Sequence, residues 1–335
     1  TLRAEHGFHA FFRQYYNFRD FLKRIDSFKH LIPIDDYIIL LQNGDQMGFK
    51  ALDETPGLNV WDLRKEGVMN WKTFVSPRSL PFIQLLKYSE EKSFRKYDNL
   101  SCEQYAKKTA MPQKMRLVFN TFARAFFSEP DKMSMAELIK GFHFYFLSND
   151  HGLLYDVLDD DFQYTFLDPA AKFMIDHGAK IKLDTPVNEI QKMEEGFVVN
   201  GDHFDYCVLC TDVQHIKPLI QNSKGFSKYK DFTSKIDSLQ TSDRYAVYRI
   251  WTDKFEEKDW PFFVFTDRFE ALDSVTLYHK MEKESTDWSK KNNGGIFELH
   301  SYALPDHLKT DEEIKAKLME EFYFYFPELK ELEIK

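Results

Sequence analysis

Residues 5–19 read EHGFHAFFRQYYNFR. The stretch sets two histidines, an acid and two arginines among six aromatic rings. Three readings compete: one wall of a helix, a metal site, or a cover over a bound cofactor. The helix reading is good further on. From Arg13 to Lys29 the residues Phe18, Phe21, Leu22 and Ile25 are spaced for one helical face. The metal reading is poor. His6 and His9 with Glu5 have helical ligand spacing, but Gly7 weakens a helix there and no second ligand pair follows nearby.

Composition narrows the field. The chain has 335 residues, enough for two domains, and a net charge of −9. An acidic chain lacks the basic face that nucleic acid requires. No apolar run approaches the roughly 20 residues of a membrane span, and no signal peptide is visible. Three cysteines make no disulfide framework, so a reducing cytoplasm is expected. Aromatics are 16% of the chain, with 33 Phe, which calls for a large core or a long apolar cavity. Glycine is scarce at 13, and no G-x-G-x-x-G occurs.

The rest of the chain reads as mixed α/β. DYIILL (36–41) and QMGFKAL (46–52) predict two strands turning at Asn43, Gly44 and Asp45. Pro81 to Leu147 is helical, broken at Pro112 and at SEPDKMS (128–134), with Ser134 and Glu137 spaced as a capping box. After Asp168 the texture changes to a helix with Pro169 in its first turn and Gly178 at its stop. KIKLDTPVNEI and GFVVNGDHFDYCVLC then predict two or three short strands ending at Thr211. Strands return in YAVYRIW, FFVFT, SVTLYHK and GIFELHSYAL, and a last helix begins near Thr310. Cys207 and Cys210 form C-x-x-C inside this strand pattern, where i and i+3 face apart, so a structural role is expected. Asp159, Asp160 and Asp161 read as a solvated turn, and no nucleophile motif occurs. On the residues alone, the chain binds something large and apolar.

The opening stretch resembles the flavin-proximal segment of carotenoid desaturases of the phytoene desaturase type. That pattern is Glu-x-Gly-x-His-x-Phe-Phe, then Tyr and Asn, and stands here as Glu5, Gly7, His9, Phe11, Phe12, Tyr15 and Asn17. GAKIKLDTPVNEI…GFVVNGDHFDYCVLCTDV is similar to a second FAD-domain segment of that superfamily. YAVYRIWTDKF, LDSVTLYHKMEKESTDW, GGIFELHSYAL and KGFHFYFLSNDHGLLYDV resemble its ring-aromatising, isorenieratene synthase-like branch. The resemblance covers nearly the whole chain.

This resemblance implies a Rossmann-like FAD domain interleaved with a substrate domain of mixed sheet and helices, as in flavin amine oxidase-type proteins. Its parts would be residues 1–30, 166–220 and 321–335 for the FAD domain, and 31–165 and 221–320 for the substrate domain. The family's Gly-rich phosphate motif would precede this chain and its C-terminal FAD segment would follow it, so a fragment is expected. The resemblance places Gly7, His9, Ala10 and Tyr15 beside FAD, Val187 at the adenine, and Thr211 at a strand end approaching the cofactor. It offers Glu5 and His9 as catalytic groups, Phe11 and Phe12 on the substrate path, and no metal. Related plant-type desaturases carry a substrate-site Arg; the equivalent place here, near Thr165, has none. The expected reaction is carotenoid desaturation, with aromatisation and a methyl shift, by hydride transfer to FAD, in the cytoplasm with peripheral membrane contact. A flavin oxidoreductase acting on another isoprenoid or an amine, and a non-catalytic carrier of an apolar ligand, stay open.

Overall fold

The computed structural model describes residues 7, 9–34, 36–50, 55–62, 65, 85–150, 155–256 and 259–335. In chain order, the pair β1 (Phe11–Phe12) leads into α1 (Tyr16–Arg24), then β2 (Leu31–Ile34), β3 (Ile38–Leu40) and β4 (Gln46–Gly48). Helices follow: α2 (Leu58–Asp62), α3 (Glu90–Tyr97), α4 (Cys102–Thr109), α5 (Gln113–Ala125) and α6 (Met135–Phe142). A π-helical turn (His143–Leu147), β5 (Tyr155–Leu158) and a second π-helical turn (Gln163–Leu167) come next, then α7 (Asp168–Asp176). Three short strands, β6 (Ile190–Lys192), β7 (Phe197–Val199) and β8 (Asp202–Phe204), precede α8 (Val213–Asn222) and α9 (Lys230–Ser238). The chain ends with β9 (Ala246–Trp251), β10 (Phe263–Thr266), β11 (Ser274–Leu277), α10 (Lys283–Asn292), β12 (Ile296–Ser301) and α11 (Asp311–Tyr325).

Two compact units result. One holds residues 1–173 and 243–335, the other residues 174–242. The first is organised by a mixed six-stranded sheet of order β4-β3-β10-β11-β12-β9, in which only β3 and β10 run parallel. Side chains alternate across it with period two. One face presents Ile38, Val264, Val275, Leu277, Phe297, Leu299 and Ile250 to Leu318 and Phe322 of α11. Both α11 residues are completely buried, each worth about 1.5–3 kcal/mol of apolar transfer. Thr310 starts this helix with a full capping box to Glu313. The opposite face carries Ile39, Phe263 and Phe265 at one end and Thr276, Glu298, His300 and Arg249 at the other.

A smaller sheet, β1-β5-β2, fixes the opening stretch. Its central strand carries Asp156, which is buried and paired with both Arg13 and Arg19. The two arginines of that stretch therefore clamp it to β5. α1 lies where the spacing predicts it and buries Phe18, Phe21, Leu22 and Ile25 against Ala170 and Phe173.

The second unit is a small α/β module in which β6, β7 and β8 form an antiparallel meander packed on Ile220 and Phe226. The sequence reading needs correction here. Residues 179–189 form no strand, and the ladder stops at Phe204 rather than Thr211. No strand of the described residues lies beside Tyr206–Cys210, so its backbone has no ladder to join. Its side chains still alternate: Cys207 and Leu209 pack inward, while Tyr206, Val208 and Cys210 point out.

Two smaller corrections concern polar residues. Ser134 caps α6 through the Ala136 N–H, and Glu137 pairs with Lys140 instead of completing a box. Asp161 is buried, because its carboxylate accepts the N–H of Gln163 at the start of the second π turn. Asp159 binds His30.

The cysteines give a direct check. Burial pushes the Cys102 thiol up to about 12. An aromatic disulfide reagent is expected to label Cys210 fast and Cys207 more slowly, and Cys102 only after denaturant is added. Equal labelling of Cys102 and Cys210 in the native protein, or a Cys207–Cys210 disulfide, would contradict this arrangement.

Candidate functional site: an aromatic cavity beneath a glycine strap

The aromatic half of the large sheet packs only partly against its neighbours, Ile39 on the helical core and Phe263 on Tyr155 and Val157. It forms one wall of a cavity of about 650 Å³. Phe263, Phe265 and Ile39 come from the sheet, Phe122 and Ala125 from α5, and Tyr145 and Phe146 from the first π turn. His9, Ala10, Phe11, Phe12 and Tyr15 close it from the opening stretch. The rings brace one another. Phe12 meets Tyr145 edge-on at 4.6 Å, Phe263 meets Phe265 at 4.7 Å, and Tyr37 stacks on Phe49 at 4.5 Å.

The strap begins at Gly7, which is buried at φ +103°. A Cβ there would sit 3.4 Å from the His300 ring, in a conformation L side chains rarely adopt, so this position suits glycine. Two residues on, the His9 ring stacks on Phe162 at 4.5 Å and keeps exposed surface on the cavity side. Burial of part of the ring lowers its pKa, and the Glu298 carboxylate partly restores it. The net depression keeps His9 neutral at neutral pH. Phe11 stacks on Phe18 at 5.1 Å.

Beneath the strap lies an ionic set that the sequence reading missed. Arg249 Nη2 and His300 Nε2 approach the two oxygens of Glu298 at 2.7 and 3.2 Å. Glu298 is fully buried, and the Arg249 guanidinium sits 3.7 Å from the centre of the Tyr278 ring. Burial raises the Glu298 pKa, but His300 and Arg249 outweigh it and hold the carboxyl below its usual range. The signal was present in FELHS, where Glu298 and His300 alternate at strand period with Phe297 and Leu299.

The sequence-predicted residues fall in three places. His9, Ala10, Phe11, Phe12 and Tyr15 meet at the cavity, with Gly7 at the start of the same strap. Val187 and Thr211 lie exposed in the second unit. Glu5 and His6 lie outside the described residues. Among the described residues no cluster of metal-ligating side chains occurs.

Comparison with known proteins fixes the family. Residues 2–333 match the family of flavin containing amine oxidoreductases. The chain belongs to that family. It is 28% identical to the carotenoid phi-ring synthase of Streptomyces griseus over 345 residues, covering 98% of this chain and 65% of that protein. The chain thus spans under two thirds of that relative's length. It is 20% identical to the carotenoid phi-ring synthase of Chlorobaculum tepidum, covering 99% of this chain and 71% of that one. Putrescine oxidase bound to putrescine shares the fold, with a TM-score of 0.65 at 12% identity over 99% of this chain and 73% of that one. The mixed α/β fold expected from the sequence is therefore that of a flavin amine oxidase-type protein, and flavin is the family's cofactor.

The ionic set makes a testable stability claim. Glu298→Gln leaves the Arg249 charge buried beside Tyr278 and is expected to cost about 3 kcal/mol or more in denaturant unfolding. Glu298→Gln with Arg249→Met should cost less than the single change. The wild-type carboxyl has a depressed pKa, so its stabilisation is present above the ordinary Glu range and lost as pH falls through the folded value. That acid-side loss should be shallower in Glu298→Gln.

Proposed function

We propose that the protein is an FAD-dependent oxidoreductase that desaturates and aromatises a ring of a carotenoid, with a methyl shift. The observation that carries this reading is the braced aromatic cavity beside the flavin-type strap. Two relatives named carotenoid phi-ring synthase support it. An amine substrate fits less well. The cavity presents phenyl and phenol rings, and among the described residues its wall offers no carboxylate to hold an ammonium group.

The strap fits a flat ring system. Gly7 places bare backbone over the sheet, Ala10 adds only a methyl, and the His9 ring is exposed toward the cavity. Gly7, His9 and Ala10 would hold that end of FAD, and the Tyr15 ring would lie beside it with its hydroxyl turned to Tyr145. Bound flavin would supply the oxidation by accepting hydride from a ring carbon twice, reoxidised in between by an external electron acceptor, because a β-ring loses four hydrogens on becoming aromatic. The protein does the rest. Phe12, Phe263, Phe265 and Phe122 hold the substrate ring and exclude water. Their faces stabilise the positive charge left on the substrate, at about 0.5–2 kcal/mol per well-placed ring. His9, neutral at neutral pH, is placed to accept a proton as the ring becomes aromatic. By resemblance, Val187 is assigned to the adenine end and Thr211 to a position approaching the cofactor.

The outer rim of the cavity supports peripheral membrane contact from the cytoplasm. Phe126 and Phe127 continue outward to Tyr245, 5.3 Å from Phe127, and to Phe144, 4.9 Å from Tyr145. Tyr245 and Phe144 are substantially exposed. An aromatic collar around an apolar opening suits the interface of a bilayer, where carotenoids dissolve. No helix among the described residues is long and apolar enough to cross a membrane.

Two outcomes are expected. The flavin-loaded full-length protein, given a β-ring carotenoid, should bleach its flavin anaerobically, and with an external electron acceptor supplied to reoxidise the flavin should yield an aromatic ring with a displaced methyl. Bleaching by putrescine and not by the carotenoid would reject this reading. Phe144→Glu with Tyr245→Glu should lower co-flotation with lipid vesicles about tenfold, from the lost apolar contact, while flavin content is retained. Unchanged flotation would reject the membrane assignment.

A further inference from the structure

The cavity wall is apolar but not uniformly so. Tyr15, in the turn before α1, and Tyr145, in the first π-helical turn, bring their hydroxyl oxygens to 2.9 Å. Both side chains line the cavity. Two phenols bonded to each other share one proton and keep the other. Among the described residues neither hydroxyl has a further partner. The proton is held firmly, because burial and the Tyr15 hydroxyl both raise the Tyr145 pKa. One O–H donor is therefore left over at the cavity wall.

The pair is built with care. Tyr16, next in sequence, donates to Asn149 just beyond the same π turn, so two consecutive tyrosines tie α1 to that turn. Phe12 and Phe122 pack on the Tyr145 ring at 4.6 and 5.7 Å and fix its direction. A π turn widens the helix by one residue and is often kept where a side chain must be aimed.

A hydrocarbon filling this cavity would strip water from the spare O–H and give nothing back. A ring bearing an oxygen would accept the hydrogen bond. Sites that hold a polar group for a substrate oxygen discriminate against the analogue that lacks it, because the group is then buried unpaired. We propose that the Tyr15–Tyr145 hydroxyl pair reads an oxygen function, hydroxyl or keto, on the substrate ring, so that the preferred substrate is an oxygenated carotenoid rather than the hydrocarbon. This inference rests on the carotenoid reading above and specifies its substrate.

The test compares a β-ring carotenoid hydrocarbon with the same skeleton carrying one ring hydroxyl, using the flavin-loaded full-length protein. Binding is read by quenching of tryptophan fluorescence, and turnover by product analysis. Wild type is expected to favour the oxygenated pigment about tenfold in Kd and in kcat/KM. Tyr145→Phe is expected to bring that ratio close to one, chiefly by weakening the oxygenated pigment, with flavin content and Tm near wild type. Tyr15→Phe should act in the same direction, and its flavin content shows whether the cofactor end is also disturbed. Equal handling of the two pigments by wild type, or an equal loss on both in Tyr145→Phe, overturns the proposal while leaving the carotenoid reading intact. Failure of both pigments to bind a flavin-loaded wild type overturns both.

Discussion

A β-strand has two faces, and every strand of the six-stranded sheet must satisfy both. One face meets this constraint in the ordinary way, as a continuous apolar layer under α11. The other face is divided. Toward β3 and β10 it is aromatic and bounds an open cavity; toward β12 and β9 it is ionic and buried beneath the Gly7 strap. That division places a charged set and an apolar ligand space side by side on one rigid support. The opening stretch is clamped across both by the Asp156 pairs.

An apolar cavity of this size tends to collapse, since native interiors pack densely and lost contacts cost free energy. Here the walls are rings, which fill space without flexing, and they brace edge-on and face-on around the opening. The ionic set adds a different stiffness. Buried charges stabilise a fold poorly compared with apolar packing, so their retention calls for a role in orienting what lies above them. Glu298 orients His300, and His300 seats Gly7. The exposed ring of His9 then reaches the cavity two residues beyond Gly7.

Much of this was legible in the sequence where a pattern was local. The amphipathic spacing through Ile25, the turn at Gly44 and the helix stop at Gly178 each depend on residues a few positions apart. The Glu-x-Gly-x-His-x-Phe-Phe stretch carried the family and, with it, the fold. What failed was non-local. YCVLC has strand alternation, yet a ladder needs a neighbour, and sequence periodicity does not supply one. Asp161 looked solvated because a run of acids usually is; its burial depends on the π turn that follows. The pairing of Tyr15 with Tyr145 spans 130 positions, and that of Arg249 with Glu298 requires the β9–β12 register. His9 was singled out from the local stretch, and its ring lies on the cavity wall stacked on Phe162.

The central claim is that the aromatic cavity is where the substrate ring resides. Ala125, on the last turn of α5, offers a way to fill it without touching the strap or the ionic set. Ala125→Trp places an indole in the cavity space. The measurement is carotenoid affinity of the flavin-loaded full-length protein, with flavin content and Tm recorded on the same sample. The account predicts at least a tenfold weaker Kd with both controls near wild type. An unchanged Kd in a folded, flavin-loaded Ala125→Trp protein would show that the pigment binds elsewhere.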